Sequence, residues 1–329
     1  MKKALFVLDH FETIYSPDVR RAIAAEVELY APQQKSDVLE VNPDLLRDVD
    51  VILSGWGAPR MDEIFLEAAP RLEAVFYGAG SIRSVTTEAF WRRGITIVSA
   101  WAANGVPVAE YALSQVLFSL KQGYRAAAAM RADPAKPFSR EDVVGAYGST
   151  VGIISLGMIG RLVVERLKVF DVHIVAYDPF VAREEAEALG VELVSLDEAF
   201  RRSDVVTLHT PWLEETEGLI AGRHFALMKK NAAFINTARG AIVRESEMIE
   251  ALRQRPDLFA VLDVTRPEPP AKDSPLWVLP NVFLTPHIAG SMGKECYRMG
   301  AFMLEELKRY VKGEPLQWRI TEEMARRMA

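Results

Sequence analysis

The amino-acid sequence predicts an α/β protein of two domains, each a parallel sheet with helices on both faces. Three observations carry that expectation. Short apolar runs alternate with helical patterns along almost the whole chain, the rhythm of strands buried under crossover helices. The 329 residues suffice for two domains of ordinary size. Strand signals stop between Trp101 and Gly148 and then resume, so the pattern occurs twice.

In the first half, Ala4–Leu8, Val38–Val41, Val51–Leu53, Leu72–Phe76 and Ile95–Val98 read as buried strands, being short apolar runs with polar or turn-forming neighbours. Asp18–Tyr30, Met61–Ala69 and Thr87–Arg93 read as helices, the last stopped by Gly94 as a C-cap. The opening MKKALFVLDH is charged and then briefly apolar. Its run ends at Asp9 with no small-residue cleavage site, so a first strand is expected rather than a signal peptide.

The joint falls at Trp101–Pro107. A long apolar helix runs from Val106 to Gly123, followed by AAAAMRADPAKPFSREDVVGAYGS, which mixes alanine, proline and charge without a strand signal. Val106–Gly148 suits either an arm against a second subunit or a surface loop. Beyond it, Thr150–Ile154, Val172–Ala176, Val205–Leu208, Ala232–Ile235, Phe259–Leu262 and Val282–Leu284 read as strands, with helices between them, notably Met158–Phe170 and Glu245–Arg253. At Asp171 a helix hands over to a strand, and aspartate there suits a left-handed turn. A last helix, Lys294–Lys312, is long enough to cross back to the first unit. The expected division is a discontinuous domain of 1–103 plus 292–329 and a fuller one of 104–291.

Composition narrows the function classes. Half the residues are hydrophobic and 26% are charged, as in soluble globular proteins. The net charge of −6 argues against nucleic acid as a partner, because phosphate contacts need a basic surface. No stretch approaches the ~20 apolar residues of a membrane span. The single cysteine, Cys296, permits no intrachain disulfide and suits a reducing, cytoplasmic compartment. No histidine and cysteine fall at metal-ligand spacing, so no metal is expected.

The strand Val151–Ile154 runs into Ser155-Leu156-Gly157-Met158-Ile159-Gly160 and then a helix. This approximates the G-x-G-x-x-G turn of Rossmann-like domains, with serine in the first position. Gly157 would let the backbone approach a pyrophosphate, and Gly160 would let the helix pack closely on the strand. Free N–H groups at Met158 and Ile159 would face the phosphates at the positive end of the helix. Asp178 closes the next strand eighteen residues after Gly160, near the offset of the acid that accepts from both ribose hydroxyls. An acid there repels a 2′-phosphate and so favours NAD over NADP.

Three polar residues follow apparent strand ends: Arg239 in FINTARG, Glu268 in VLDVTRPEP and His287 in FLTPHIAG. An arginine can clamp a carboxylate, a histidine can give or take a proton, and a carboxylate can hold that histidine charged. With the dinucleotide turn they describe a hydride-transfer site. Singly, each has a plain structural explanation as surface charge, exposed loop or core histidine.

Together with NGVPVAEYAL, TVGIISLGMIG, DVVTLHTPWLEETEGLI, MKKNAAFINTARGAIV, LDVTRPEPP and SPLWVLPNVFLTPHIAG, these segments resemble the D-isomer-specific 2-hydroxyacid dehydrogenase family, in order from Asn104 to Gly290. The first hundred residues match more weakly. The resemblance implies two Rossmann-like domains with the active site in the interdomain cleft, and reaction between a 2-keto acid and a D-2-hydroxy acid. It implies that Arg239 binds the substrate carboxylate, that His287 exchanges the proton and that Glu268 holds the histidine. It places Asp263 at the nicotinamide carboxamide, His209, Thr210, Pro211, Thr237, Ala238 and Gly290 along the cofactor, and Gly78, Ala79, Gly80 and Asn104 at the substrate. A homodimer joined through the cofactor domain and its Val106–Gly148 arm is implied as well.

Departures bear on the substrate. Formate dehydrogenases of this family carry glutamine where Glu268 stands. The family's G-x-D-N turn reads Ser81-Ile82-Arg83-Ser84 after Gly80, and the arginines of phosphoglycerate dehydrogenases are missing from SGWG and VFYGAG, although Arg60 and Arg83 lie nearby. Room for the regulatory domain of the long phosphoglycerate dehydrogenases is not expected. Trp56, Phe76, Tyr77 and Trp101 suggest either an aromatic mouth suited to a bulkier acid or plain core. A rival reading is an NAD-sensing co-repressor-like binding protein with little turnover; the chain lacks the low-complexity tail such proteins usually carry.

Overall fold

The computed structural model describes residues 1–133, 138–141 and 143–328. Its strands are β1 Lys3–Val7, β2 Glu28–Leu29, β3 Val51–Ser54, β4 Ala74–Tyr77, β5 Thr96–Ser99, β6 Thr150–Ile154 and β7 His173–Tyr177. They continue as β8 Glu192–Leu193, β9 Val205–Leu208, β10 Ala233–Asn236, β11 Phe259–Leu262, β12 Val282–Leu284 and β13 Arg319–Ile320. Two sheets result, in the orders β13-β5-β4-β3-β1-β2 and β12-β11-β10-β9-β6-β7-β8. Every pairing is parallel except that of β13 with β5. The chain divides into one unit of Met1–Gly105 with Ser291–Ala329 and another of Val106–Gly290.

Burial on both faces explains why the strands read as unbroken apolar runs. Along β4, Ala74 and Phe76 join one core layer while Val75 and Tyr77 join the other. Along β11, Ala260 and Leu262 pack on one side and Phe259 and Val261 on the other. The same alternation decides between mouth and core for two of the aromatic residues: Phe76 is 0% and Tyr77 5% exposed, so both rings are core. Trp101 packs edge-on against Trp318, itself stacked on Phe302.

The two sheets are fastened alike at their N-terminal edges. Asp50, just before β3, accepts the N–H of Lys3 at 2.8 Å, and Asp204, just before β9, accepts that of Thr150 at 2.8 Å. Each aspartate is also joined by its backbone to the start of the neighbouring strand, through Asp50 N–H to Lys3 O and Asp204 N–H to Thr150 O. The first carboxylate is braced by Arg71 at 2.8 Å and the second by Lys229 at 3.0 Å.

Several local expectations are corrected. Val38–Val41 is a helical turn, not a strand; Val38 is buried but Val41 is 60% exposed, the one-sided burial of a turn. The place beside β1 is taken by Glu28–Leu29, because the Pro17–Glu26 helix ends at Val27, which is extended. The long helix begins at Trp101 and carries Pro107 inside it, ending at Leu120. A further helix, Gly123–Ala132, follows, so part of the expected arm is helical. Positions 134–137 and 142 of that arm lie outside the described residues. Asp171 is not among the residues of positive φ; the reversal is made by Phe170 N–H to Leu167 O and Val172 N–H to Phe170 O. Among the described residues no helix is long and apolar enough to cross a membrane.

Candidate active site

The turn after β6 is built around Ser155, which adopts φ +76°. A non-glycine residue there costs on the order of 1 kcal/mol or more, the strain that glycine at the first position of the motif avoids. Hydrogen bonds hold it. Ser155 N–H donates to Tyr177 O at 2.8 Å, and its Oγ lies 2.8 Å from Thr210 Oγ1. The two later glycines have separate reasons. A Cβ on Gly160 would sit 2.1 Å from Ser155 O, so helix and turn could not approach as they do, whereas a Cβ on Gly157 would meet nothing within 4 Å.

Gly157 caps the Met158–Leu167 helix without a side-chain hydrogen bond. The first-turn N–H groups therefore have no intrahelical or capping acceptor and add to the positive end of the helix dipole. Asp178 lies against this turn. Its Oδ2 accepts Leu156 N–H and its Oδ1 accepts Phe180 N–H, both at 2.8 Å. Each carboxylate oxygen keeps a further acceptor site. An uncapped helix start, an open Gly157 and an adjoining acid fit a pyrophosphate with its ribose.

Past β9, His209 is buried with Nε2 3.1 Å from Thr207 Oγ1. Burial pushes its pKa down to about 3, so the ring is neutral at ordinary pH. Its Nδ1 and the buried Thr237 Oγ1 have no hydrogen-bond partner among the described residues. Thr210 is buried beside it, and Pro211 O accepts from Thr216 Oγ1 at 2.6 Å.

Arg239, Glu268 and His287 follow β10, β11 and β12, three adjacent parallel strands with Asn236 opposite Leu262 and Leu262 opposite Leu284. Neighbouring strands lie about 4.8 Å apart, so topology gathers the three loops at one sheet edge. The Arg239 turn is shaped by Asn236, whose side chain accepts Ala238 N–H at 2.9 Å and donates to Arg239 O at 3.1 Å. Arg239 Nη1 donates to Ala238 O at 2.6 Å. Gly240 permits the next contact: a Cβ there would lie 2.1 Å from the Thr265 carbonyl carbon, so this turn rests directly on the loop leading to Glu268.

His287 Nδ1 and Glu268 Oε1 are 2.5 Å apart, with both side chains partly exposed at 47% and 40%. A carboxylate on Nδ1 fixes the ring and leaves Nε2 as its other working atom. His287 has φ +54°. Its N–H points to Asp263 O and Thr285 O, both at 3.0 Å. Asp263 is 2% exposed. Rather than offering its side chain outward, it accepts from Thr285 Oγ1 and Ile288 N–H on Oδ1 and from Ala289 N–H on Oδ2. Gly290 closes this loop. The sequence assigns no role to Asn236 or Thr285; Asn236 is revealed by the turn it closes on itself, and Thr285 by its contact with Asp263 across the sheet edge.

In the first unit, Gly78 N–H donates to Ser54 O and Ala79 N–H to Tyr77 O, both at 2.8 Å, while Gly80 N–H has no partner among the described residues. Asn104 Oδ1 accepts Ser291 N–H at 2.9 Å, and its amide nitrogen lies 3.4 Å from where a Gly80 Cβ would stand. Arg83 Nε is bound to Met328 O at 3.1 Å, and Arg60 is exposed. Among the described residues no cluster of three or more histidines, cysteines or carboxylates could hold a metal.

A family model described as D-isomer specific 2-hydroxyacid dehydrogenase, NAD binding domain, matches residues 113–289. A D-3-phosphoglycerate dehydrogenase of Methanocaldococcus jannaschii is 35% identical over 292 residues, covering 88% of this chain and 54% of the relative. The chain spans about half the length of the curated relatives it matches. A glyoxylate reductase from Paecilomyes thermophila has a similar structure, with TM-score 0.77 and 25% identity over 98% of this chain and 99% of the other. The D-mandelate dehydrogenase of Rhodotorula graminis shares the fold, with TM-score 0.81 and 23% identity over 98% of both chains.

Proposed function

The chain belongs to the D-isomer specific 2-hydroxyacid dehydrogenase family, and from that premise we propose that it interconverts a small 2-keto acid and the D-2-hydroxy acid with NAD(H). The observation that carries this reading is the 2.5 Å pairing of His287 Nδ1 with Glu268, on loops adjacent to that of Arg239. When bound, the cofactor supplies the hydride chemistry. The side chains supply the rest. Arg239 grips the substrate carboxylate through two parallel N–H donors and so orients the 2-keto group. His287 gives the proton on Nε2 to the carbonyl oxygen during reduction and recovers it during oxidation. Glu268 keeps the ring's Nδ1 occupied and so fixes its orientation.

The N–H groups of Met158 and Ile159 and the open face of Gly157 support pyrophosphate binding. Gly160 brings the helix close enough to do so, and Asp178 takes the ribose hydroxyls and selects NAD over NADP. Backbone groups at His209–Pro211, Thr237–Ala238 and Gly290 line the cofactor, and Asp263 sets the loop that borders it. An unphosphorylated acid suits this chain, since the arginines of phosphoglycerate dehydrogenases are missing from Ser54–Gly57 and Val75–Gly80. Exposed apolar side chains at Phe118, Met130 and Tyr147 support a homodimer through this unit.

The test is NADH and NADPH oxidation, followed at the nicotinamide absorbance, with glyoxylate, hydroxypyruvate, pyruvate, phenylpyruvate, branched 2-keto acids and phosphohydroxypyruvate. Turnover of an unphosphorylated acid with NADH preferred is expected. Tight NADH binding without turnover of any acid would contradict the proposal.

A further inference from the structure

The His287 loop is secured by a hydrogen-bond chain that begins on a different element. Tyr111 lies on the Trp101–Leu120 helix, and its hydroxyl is 2.8 Å from Thr285 Oγ1, which in turn is 2.6 Å from Asp263 Oδ1. Donor counting gives the chain a direction. The Asp263 carboxylate already receives Ile288 and Ala289 N–H groups and acts as acceptor throughout. The one hydroxyl hydrogen of Thr285 therefore goes to Asp263, and Thr285 Oγ1 must receive from Tyr111. Burial chiefly pushes the Tyr111 phenol's pKa up, which keeps its proton on. Asp263 is 2% exposed and has no cationic partner among the described residues, so only these donors offset its desolvation.

What the chain holds is strained. His287 sits at φ +54°, between two backbone carbonyls that its own N–H reaches and a carboxylate that grips the next two N–H groups. A non-glycine residue stays in that region only when its surroundings over-determine it. Slackening the clamp would let the backbone relax and swing the imidazole away from its 2.5 Å contact with Glu268.

We propose that Tyr111, acting through Thr285 and Asp263, is a positioning residue for the proton-transferring His287. This rests on the acid–base reading of His287 given above. The test compares Tyr111→Phe, Thr285→Val and Thr285→Ser with His287→Ala, measuring kcat and KM for the best 2-keto acid, NADH Kd by fluorescence and thermal midpoint. Tyr111→Phe is expected to lower kcat about tenfold, the scale of a small misplacement of a reacting group, while NADH Kd and KM stay within about twofold. Thr285→Val should lose at least as much, and Thr285→Ser, which keeps the hydroxyl, should retain most of the rate. Wild-type kcat in Tyr111→Phe, or NADH affinity falling in step with rate, overturns the proposal. The two failures are separable: His287→Ala with wild-type turnover removes the acid–base reading itself. An inactive His287→Ala beside a fully active Tyr111→Phe removes only the positioning role.

Discussion

Asp50 receives the N–H of Lys3 at the start of the first sheet, and Asp204 receives that of Thr150 at the start of the second, each at 2.8 Å. Five residues after these aspartates the units part: the first has Gly55, the second the buried His209. At its C-terminal edge the first sheet turns hydroxyls onto its own carbonyls, Tyr15 onto Ser54 O, Ser54 onto Val7 O and Ser99 onto Ala79 O. The second sheet ends in an uncapped helix start, an arginine turn and a histidine–glutamate pair. One scaffold is thus built twice, and what distinguishes the units is the set of loops past the strand ends. In open parallel sheets that is the edge at which ligands bind.

The sharpest way to break this contrast is Arg239→Ala. Loss of two charge-assisted hydrogen bonds, each about 1.5–3 kcal/mol, should lower kcat/KM about 10³-fold. Retained activity would move the chemistry away from the second sheet's edge. A smaller effect separates the two glycines of the turn. Gly160→Ala forces a methyl to 2.1 Å from Ser155 O, and should cost about 1–3 kcal/mol of stability together with NADH affinity. Gly157→Ala meets no atom within 4 Å and should weaken NADH binding alone. Equal melting temperatures for both variants would contradict the packing account.

The shared edge has its own test. Asp50→Ala and Asp204→Ala each strand a strand-initiating N–H and should destabilise by similar amounts, about 1–3 kcal/mol in chemical denaturation. A large inequality would break the equivalence of the two sheets. An effect confined to acid pH concerns His209. Its folded pKa is about 3, well below the roughly 6.5 of an unfolded histidine. Between those values the unfolded chain binds a proton that the folded one refuses, so stability falls as pH drops through this window and is intact above it. Melting temperature against pH should fall less steeply below about pH 6.5 in His209→Gln than in the parent; parallel curves would contradict the assignment.

Much of the fold was legible because strands buried on both faces leave continuous apolar runs, as at Phe259–Leu262. The two-residue strands Glu28–Leu29, Glu192–Leu193 and Arg319–Ile320 were not, since so short a segment carries no periodicity. Pro107 reads as a boundary in sequence yet sits inside a helix that starts six residues earlier. Phe76 and Tyr77 were open to either a mouth or plain core in sequence, and their burial along β4 places both in the core. At the candidate site, each local segment was legible from its strand-end context. The clamp around His287 was not: Tyr111 and Thr285 are 174 residues apart in sequence, and only the fold brings their hydroxyls together.

The most direct test of the central claim is a stopped-flow comparison of His287→Ala with the parent, mixing enzyme and NADH with the best 2-keto acid. NADH Kd should be unchanged and the hydride-transfer rate lowered about 10²–10⁴-fold, the range of a lost general acid. A variant that binds NADH and transfers hydride at the parental rate would contradict that claim.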